Sequence, residues 1–160
     1  MRRGTGFALV IVLAAALSVS ACGARTQAPA PVTQIVSTTS FGMCVGYCAT
    51  RLEISEGQAI LVREAHGRRG NQDLPAQRIT ATLSLGEWQE IARLAAATNL
   101  DGFPPVIGCP DCADGGAESL TIVRLGGSKT ISFDHGTAIK EAQPLLDRLR
   151  ALRTKMTPAS

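Results

Sequence analysis

Aromatic side chains are scarce in this 160-residue chain: one Trp, one Tyr and four Phe. Any core must therefore be built from Leu, Ile, Val and Ala. Blocks of like charge are also missing. The formal net charge of +3 includes Arg2 and Arg3, which precede an apolar run. Removing residues 1–21 of the 160, and with them those two of the 16 cations, leaves 139 residues with 14 basic against 13 acidic. Near-neutrality without a Lys/Arg cluster gives nucleic-acid binding little footing. The apolar run, Phe7 to Leu17, falls short of the roughly 20 residues a membrane-spanning helix needs. Catalytic signatures are absent too. No serine stands in a G-x-S-x-G setting. Asp134-His135-Gly136 has no nucleophile at a recognisable spacing and is expected to form a surface turn, and His66 sits in a Gly/Arg-rich loop. No enzyme class is indicated. What is abundant is apolar character, 45% of residues, which excludes a disordered chain, and the length predicts one domain.

The opening segment reads as targeting rather than fold. Arg2 and Arg3 form a positive start, Phe7 to Leu17 an apolar centre, and Ser18 to Ala21 a small-residue stretch of the kind signal peptidases accept. Leu17 and Val19 followed by Ser20-Ala21-Cys22 resemble the lipobox of bacterial lipoproteins. That resemblance implies cleavage before Cys22, a diacylglyceryl group on its thiol and an acyl group on its amine. Two or more acyl chains, at roughly 0.8 kcal/mol per buried methylene, give stable anchoring. Gly23 stands where an Asp would resemble an inner-membrane retention signal. In a Gram-negative cell the resemblance therefore points to the outer membrane, facing the periplasm. Residues 22–32 follow as a tether, whose Ala28-Pro29-Ala30-Pro31 favours an extended, semi-rigid spacer.

The folded domain is expected over residues 33–155, with residues 156–160 as a tail. Gln34 to Thr38 is a β-branched run. Residues 49–54 and 58–64 alternate around Glu56-Gly57 as a hairpin. Ile79, Ala81 and Leu83 mark another strand. Ser84 and Glu87 form an S-x-x-E capping box, with Leu83 and Trp88 placed to pack across the first turn. Trp88, Ile91, Ala92, Leu94 and Ala95 recur at helical spacing, and Asn99 is the expected stop. Leu120 to Val123 and Thr130 to Phe133 form a second hairpin around Gly126-Gly127. Ala142, Leu145, Leu146, Leu149 and Leu152 make one face of a last helix, with Arg148, Arg150 and Arg153 elsewhere. Pro144 places the start of that helix, or a separate first turn over Thr137 to Gln143. The fold class is thus α+β: strands, helix, strands, helix, with an antiparallel sheet of five to six strands and two helices packed on one face.

Chemistry rests on the cysteines. With Cys22 set aside, Cys44, Cys48, Cys109 and Cys112 remain, and in an exported chain thiols pair. Four cysteines allow three connectivities; the local bridges Cys44–Cys48 and Cys109–Cys112 are expected, with crossed bridges as the alternative. Cys109-Pro110-Asp111-Cys112 also matches the C-x-x-C pattern of thiol–disulfide exchange, although the motif runs into a glycine loop and a strand rather than a helix. Four thiolates suit a tetrahedral zinc ion, and Asp111, Asp114 and Glu118 a hard cation such as calcium.

Cys44-x-Gly46-x-Cys48, leading into alternating Thr50, Leu52 and Ile54, resembles a family of small exported bacterial domains with Cys-x-Gly-x-Cys-Pro at the start of a strand. Ala49 stands where that pattern has proline. The Gly108-Cys109-Pro110-Asp111-Cys112-Ala113-Asp114-Gly115-Gly116 stretch resembles a motif of related lipoproteins. The resemblance spans Ile35 to Leu152 and implies a small α+β domain with no established activity. The expectation is a membrane-tethered, non-enzymatic binding domain without a cofactor, presenting disulfide-pinned loops to envelope protein partners. A redox protein using Cys109 and Cys112 is the alternative, and a metal-binding protein the third.

Overall fold

A computed structural model describes residues 30–65 and 74–158. The leader 1–21, Cys22, most of the tether and His66 with its loop lie outside the described residues. In chain order the elements are β1 (Val32–Ser40), β2 (Ala49–Ser55), β3 (Gln58–Glu64), β4 (Gln77–Thr82), α1 (Leu85–Ala97), β5 (Val106–Ile107), β6 (Ala117–Arg124), β7 (Gly127–Asp134) and α2 (Gln143–Met156). The strands form one seven-stranded sheet in the order β4-β3-β2-β1-β6-β7-β5. Every pairing is antiparallel except β5 with β7.

The fold is α+β as expected, but the sheet is larger than five to six strands and is mixed. The seventh strand is β5, two residues behind Pro104-Pro105. A strand that short has no period for a pattern to reveal. β1 begins at Val32, inside the stretch assigned to the tether, and α2 runs to Met156, one residue past the expected domain end.

Both hairpins form with the expected partners. β2 and β3 turn at Glu56-Gly57, and β6 and β7 turn at Leu125-Gly126. Register sorts the strand residues into rows across the face that packs on the helices. One row runs Ala59, Ile54, Ile35, Ile122; the next runs Leu61, Leu52, Ser37, Leu120, Ile131. These apolar residues are buried together with Trp88, Ile91 and Ala95 of α1 and Leu145, Leu146, Leu149 and Leu152 of α2. Such burial is worth roughly 1.5–3 kcal/mol per large aliphatic side chain.

α1 starts as its sequence dictates. The Glu87 amide donates to Ser84 Oγ at 3.3 Å, and the Ser84 amide donates to Glu87 Oε2 at 2.9 Å. Leu83 and Trp88 are both buried beneath this turn. The C-terminal cap is Thr98, one residue before the expected Asn99. No basic residue lies in the last turn of α1; the cation comes from β6 instead. Arg124 Nη2 donates to the carbonyls of Ala95 at 3.0 Å and Thr98 at 3.3 Å, bringing a positive charge to the C-terminal end of the helix. In α2, Pro144 occupies the first turn, where its missing N–H costs nothing.

Candidate functional site

β1 runs away from the tether, so its far end lies about 26 Å from Val32 for eight steps of 3.3 Å. Both cysteine-bearing loops gather at that end. The first, residues 41–48, joins β1 to β2. The second, residues 108–116, leads from β5 into β6, because β5 runs parallel to β7 and delivers the chain beside Asp134.

The first loop is closed by the Phe41 amide donating to the Cys48 carbonyl at 3.0 Å. Cys44 and Cys48 are bridged, with Cα atoms 5.6 Å apart. Cys48 is buried, whereas Met43 and Val45 are exposed at 66% and 88%. The second loop is bridged between Cys109 and Cys112, Cα atoms 5.5 Å apart, and both of these cysteines face solvent. Asp111, Ala113 and Asp114 all have left-handed backbones, with φ of 62°, 54° and 59°. The short 3₁₀ turn Cys112–Asp114 therefore never becomes a helix.

Two contacts lock the loops together. The Gly42 amide donates to Asp111 Oδ1 at 3.3 Å. The Phe41 ring lies against the backbone of Gly116, so close that a Cβ there would sit 2.5 Å from it. Gly116 also has φ +84°, so geometry and space both demand glycine. Phe41 also meets the His135 ring, centroids 4.7 Å apart. Asp134 Oδ1 accepts from the Cys109 amide at 3.1 Å, and the Gly116 carbonyl accepts from the His135 and Asp111 amides, each at 3.1 Å. His135 is exposed in a surface turn as expected.

Beneath the loops, the helix-facing row at this end of the sheet turns polar. Arg63, Thr50, Thr39 and Glu118 lie in register across four strands. Thr39 and Thr50 share a hydroxyl hydrogen bond of 2.7 Å, Arg63 donates to Gln77 Oε1 at 3.0 Å, and its guanidinium lies 4.5 Å from the Tyr47 ring centroid. Glu118 is only 1% exposed. Arg150 grips its carboxylate with two donors, Nε to Oε1 at 3.2 Å and Nη2 to Oε2 at 2.8 Å. Arg153 Nη1 stands 3.7 Å from Oε1, and the Gly136 amide donates to Oε2 at 3.3 Å. Arg153 Nη2 also donates to Ser37 Oγ. Burial pushes the Glu118 carboxyl up, but the Arg150 hydrogen bonds and charge, helped by Arg153, outweigh it and hold the group below its ordinary value. Burial lowers Arg153 from the usual guanidinium range.

The calcium triad is therefore not assembled. Asp111 and Asp114 share the loop surface near Gly42, while Glu118 points inward and is committed to two arginines. The sulfurs of Cys44, Cys48, Cys109 and Cys112 are bonded in pairs, so the four-thiolate zinc arrangement does not form. Among the described residues no three His, Cys, Asp or Glu side chains are grouped to hold a metal ion, and no helix is long and apolar enough to cross a membrane. Two features went unread in the sequence. Glu118 is in phase with Leu120 and Ile122 in the β6 alternation, a signal of inward placement. Phe41, 75 positions before Gly116, carried no signal at all.

The fold and this loop cluster define a disulfide-pinned α+β domain. No protein-family model matches the chain, and no curated protein is similar to it.

Proposed function

We propose that the chain is a lipid-anchored envelope protein, processed at Cys22, whose folded domain, Val32 to Met156, is a non-enzymatic binding module. Its binding surface is the pair of disulfide-pinned loops at 41–48 and 108–116. One observation carries the reading: two loops far apart in sequence are locked together at the end of the sheet remote from Val32. A tether entering at Val32 would hold that end outward, toward envelope protein partners, with Met43 and Val45 on its surface. Exposed apolar side chains held on a rigid loop keep the ordering cost of binding low.

A photo-crosslinking amino acid placed at Val45 tests the surface in cells, with one at Leu85 on α1 as the control, since both positions are exposed. A discrete adduct from Val45 and none from Leu85 is the expected result. Equal labelling from both positions, or none from Val45, refutes the loop surface. Mass spectrometry of the mature N-terminal peptide tests the anchor separately, and an unmodified Cys22 ends that part of the proposal.

The thiol–disulfide alternative is favoured by one observation, the solvent exposure of Cys109 and Cys112 beside the buried Cys48. A structural bridge should have a reduction potential below about −300 mV. A value near those of catalytic dithiols supports the alternative.

A further inference from the structure

The sheet is left open along part of its β7 edge. β5 covers only Ser132 and Phe133. The Ser132 amide points outward and donates to the Pro105 carbonyl at 2.9 Å. Strand geometry repeats every two residues, so the backbone groups of Thr130 and Ser128 also point outward. The next donor in the β5 register belongs to Pro105, whose nitrogen carries no hydrogen. β5 therefore cannot continue down the edge, and no described residue pairs with the outer backbone of Ser128 or Thr130. Both residues are exposed.

A cavity of about 270 Å³ flanks this gap on the helix side, bounded by Asn99, Leu100 and Asp101 after α1 and by Ile122, Arg124 and Lys129 on the sheet. Its charged lining is two cations and one anion. Among the described residues neither Arg124 nor Lys129 has an ion-pair partner; Arg124 is bonded to the carbonyls of Ala30, Ala95 and Thr98. The gap thus leaves the outward backbone donors and acceptors of two residues, Ser128 and Thr130, beside a pocket with surplus positive charge.

We infer that β7 accepts an extended acidic peptide as an added strand in line with β5, its carboxylate opposite Lys129. Main-chain hydrogen bonds to Ser128 and Thr130 supply affinity, and the side chain entering the pocket supplies selectivity. A second copy of this chain is a poorer occupant. Pairing Ser128 with Thr130 of another β7 sets Lys129 directly opposite its own counterpart, and like charges facing across strands are destabilising. This surface lies near the Val32 end of the domain and is separate from the loop cluster.

The test uses the full chain and a fluorescent capped peptide, acetyl-Thr-Val-Glu-Val-Thr-amide, with its Glu-to-Lys version as control, read by anisotropy. The Glu peptide should bind and the Lys peptide at least tenfold more weakly. Lys129→Glu should reverse that order. Thr130→Pro deletes an edge donor while sparing the β6 ladder and should abolish binding; Ser128→Pro serves if Thr130→Pro does not fold. The inference is overturned if the Glu peptide fails to bind, if binding survives the folded proline variant, or if Lys129→Glu leaves the preference unchanged. Self-association of the wild type that the proline variant removes would identify a second copy as the occupant and overturn it equally.

Discussion

Glu118→Gln isolates the charge that holds α2 over the polar row. The substitution keeps shape and one acceptor but replaces the other with a donor facing Arg150 or Arg153. Removing one member of a buried ion pair costs about 3–5 kcal/mol. Here Arg150 is 27% exposed at its side chain and can partly rehydrate, so we expect about 3 kcal/mol, toward the low end. For a domain of this size that lowers the melting temperature by on the order of 10 °C. The pH dependence carries a sign. The folded-state pKa of Glu118 lies below the unfolded value of 4.5, so its contribution is fully present above 4.5. It is lost as pH falls through the lower folded value. The stability gap between wild type and Glu118→Gln, measured by urea titration at stepped pH, should be constant from pH 7 to about 5 and shrink below 4.5. A gap near zero at pH 7, or one that persists undiminished at the acid end, refutes the assignment. A companion variant sharpens the result: Glu118→Leu with Arg150→Met and Arg153→Leu should come within about 2 kcal/mol of wild type, because replacing the whole buried network removes its desolvation cost together with its attraction.

Three further outcomes are expected. Ser84→Ala should cost on the order of 1 kcal/mol in a denaturation midpoint, because it removes the acceptor for the Glu87 amide. Gly116→Ala should cost more, about 2–3 kcal/mol from a strained positive φ plus the clash with Phe41; it should also accelerate amide exchange across residues 41–48, whereas Gly126→Ala, with φ +94° but open space around it, should not change exchange there. Under limiting reductant, differential alkylation should label Cys109 and Cys112 before Cys44 and Cys48, since access to sulfur governs exchange and Cys48 is buried; labelling in the opposite order would count against the described loop packing.

What was legible in the sequence was local. The capping box, the two hairpins and the leucine face of α2 are each written within one short continuous stretch, and the structure repeats them nearly residue for residue. β5 was not legible because its two residues pair with β7 for tertiary reasons, at a site defined by Pro105. The Arg124 cap on α1 joins a strand to a helix that ended 27 positions earlier, and no short-range pattern encodes it. The loop cluster was half legible. Each cysteine pair reads as a local bridge, but the contacts of Gly42 with Asp111 and of Phe41 with Gly116 span 69 and 75 positions. Glu118 is the instructive miss. Its sequence neighbours group it with Asp111 and Asp114 as a cation ligand, while its phase with Leu120 and Ile122 places it inside, where Arg150 and Arg153, three residues apart on α2, supply the partners.

The central place of β1 has a mechanical consequence. This strand is the fourth of seven and is hydrogen-bonded on both sides, to β2 and to β6. Ladder bonds lie across the strand axis, so a pull at Val32 resisted at the 108–116 loop, which runs straight into β6, loads the β1–β6 ladder in shear instead of peeling it one bond at a time, while a load held at 41–48 is carried along the β1 backbone itself. The two loops therefore transmit load to the N-terminal entry by different routes, one along a single strand and one across a ladder.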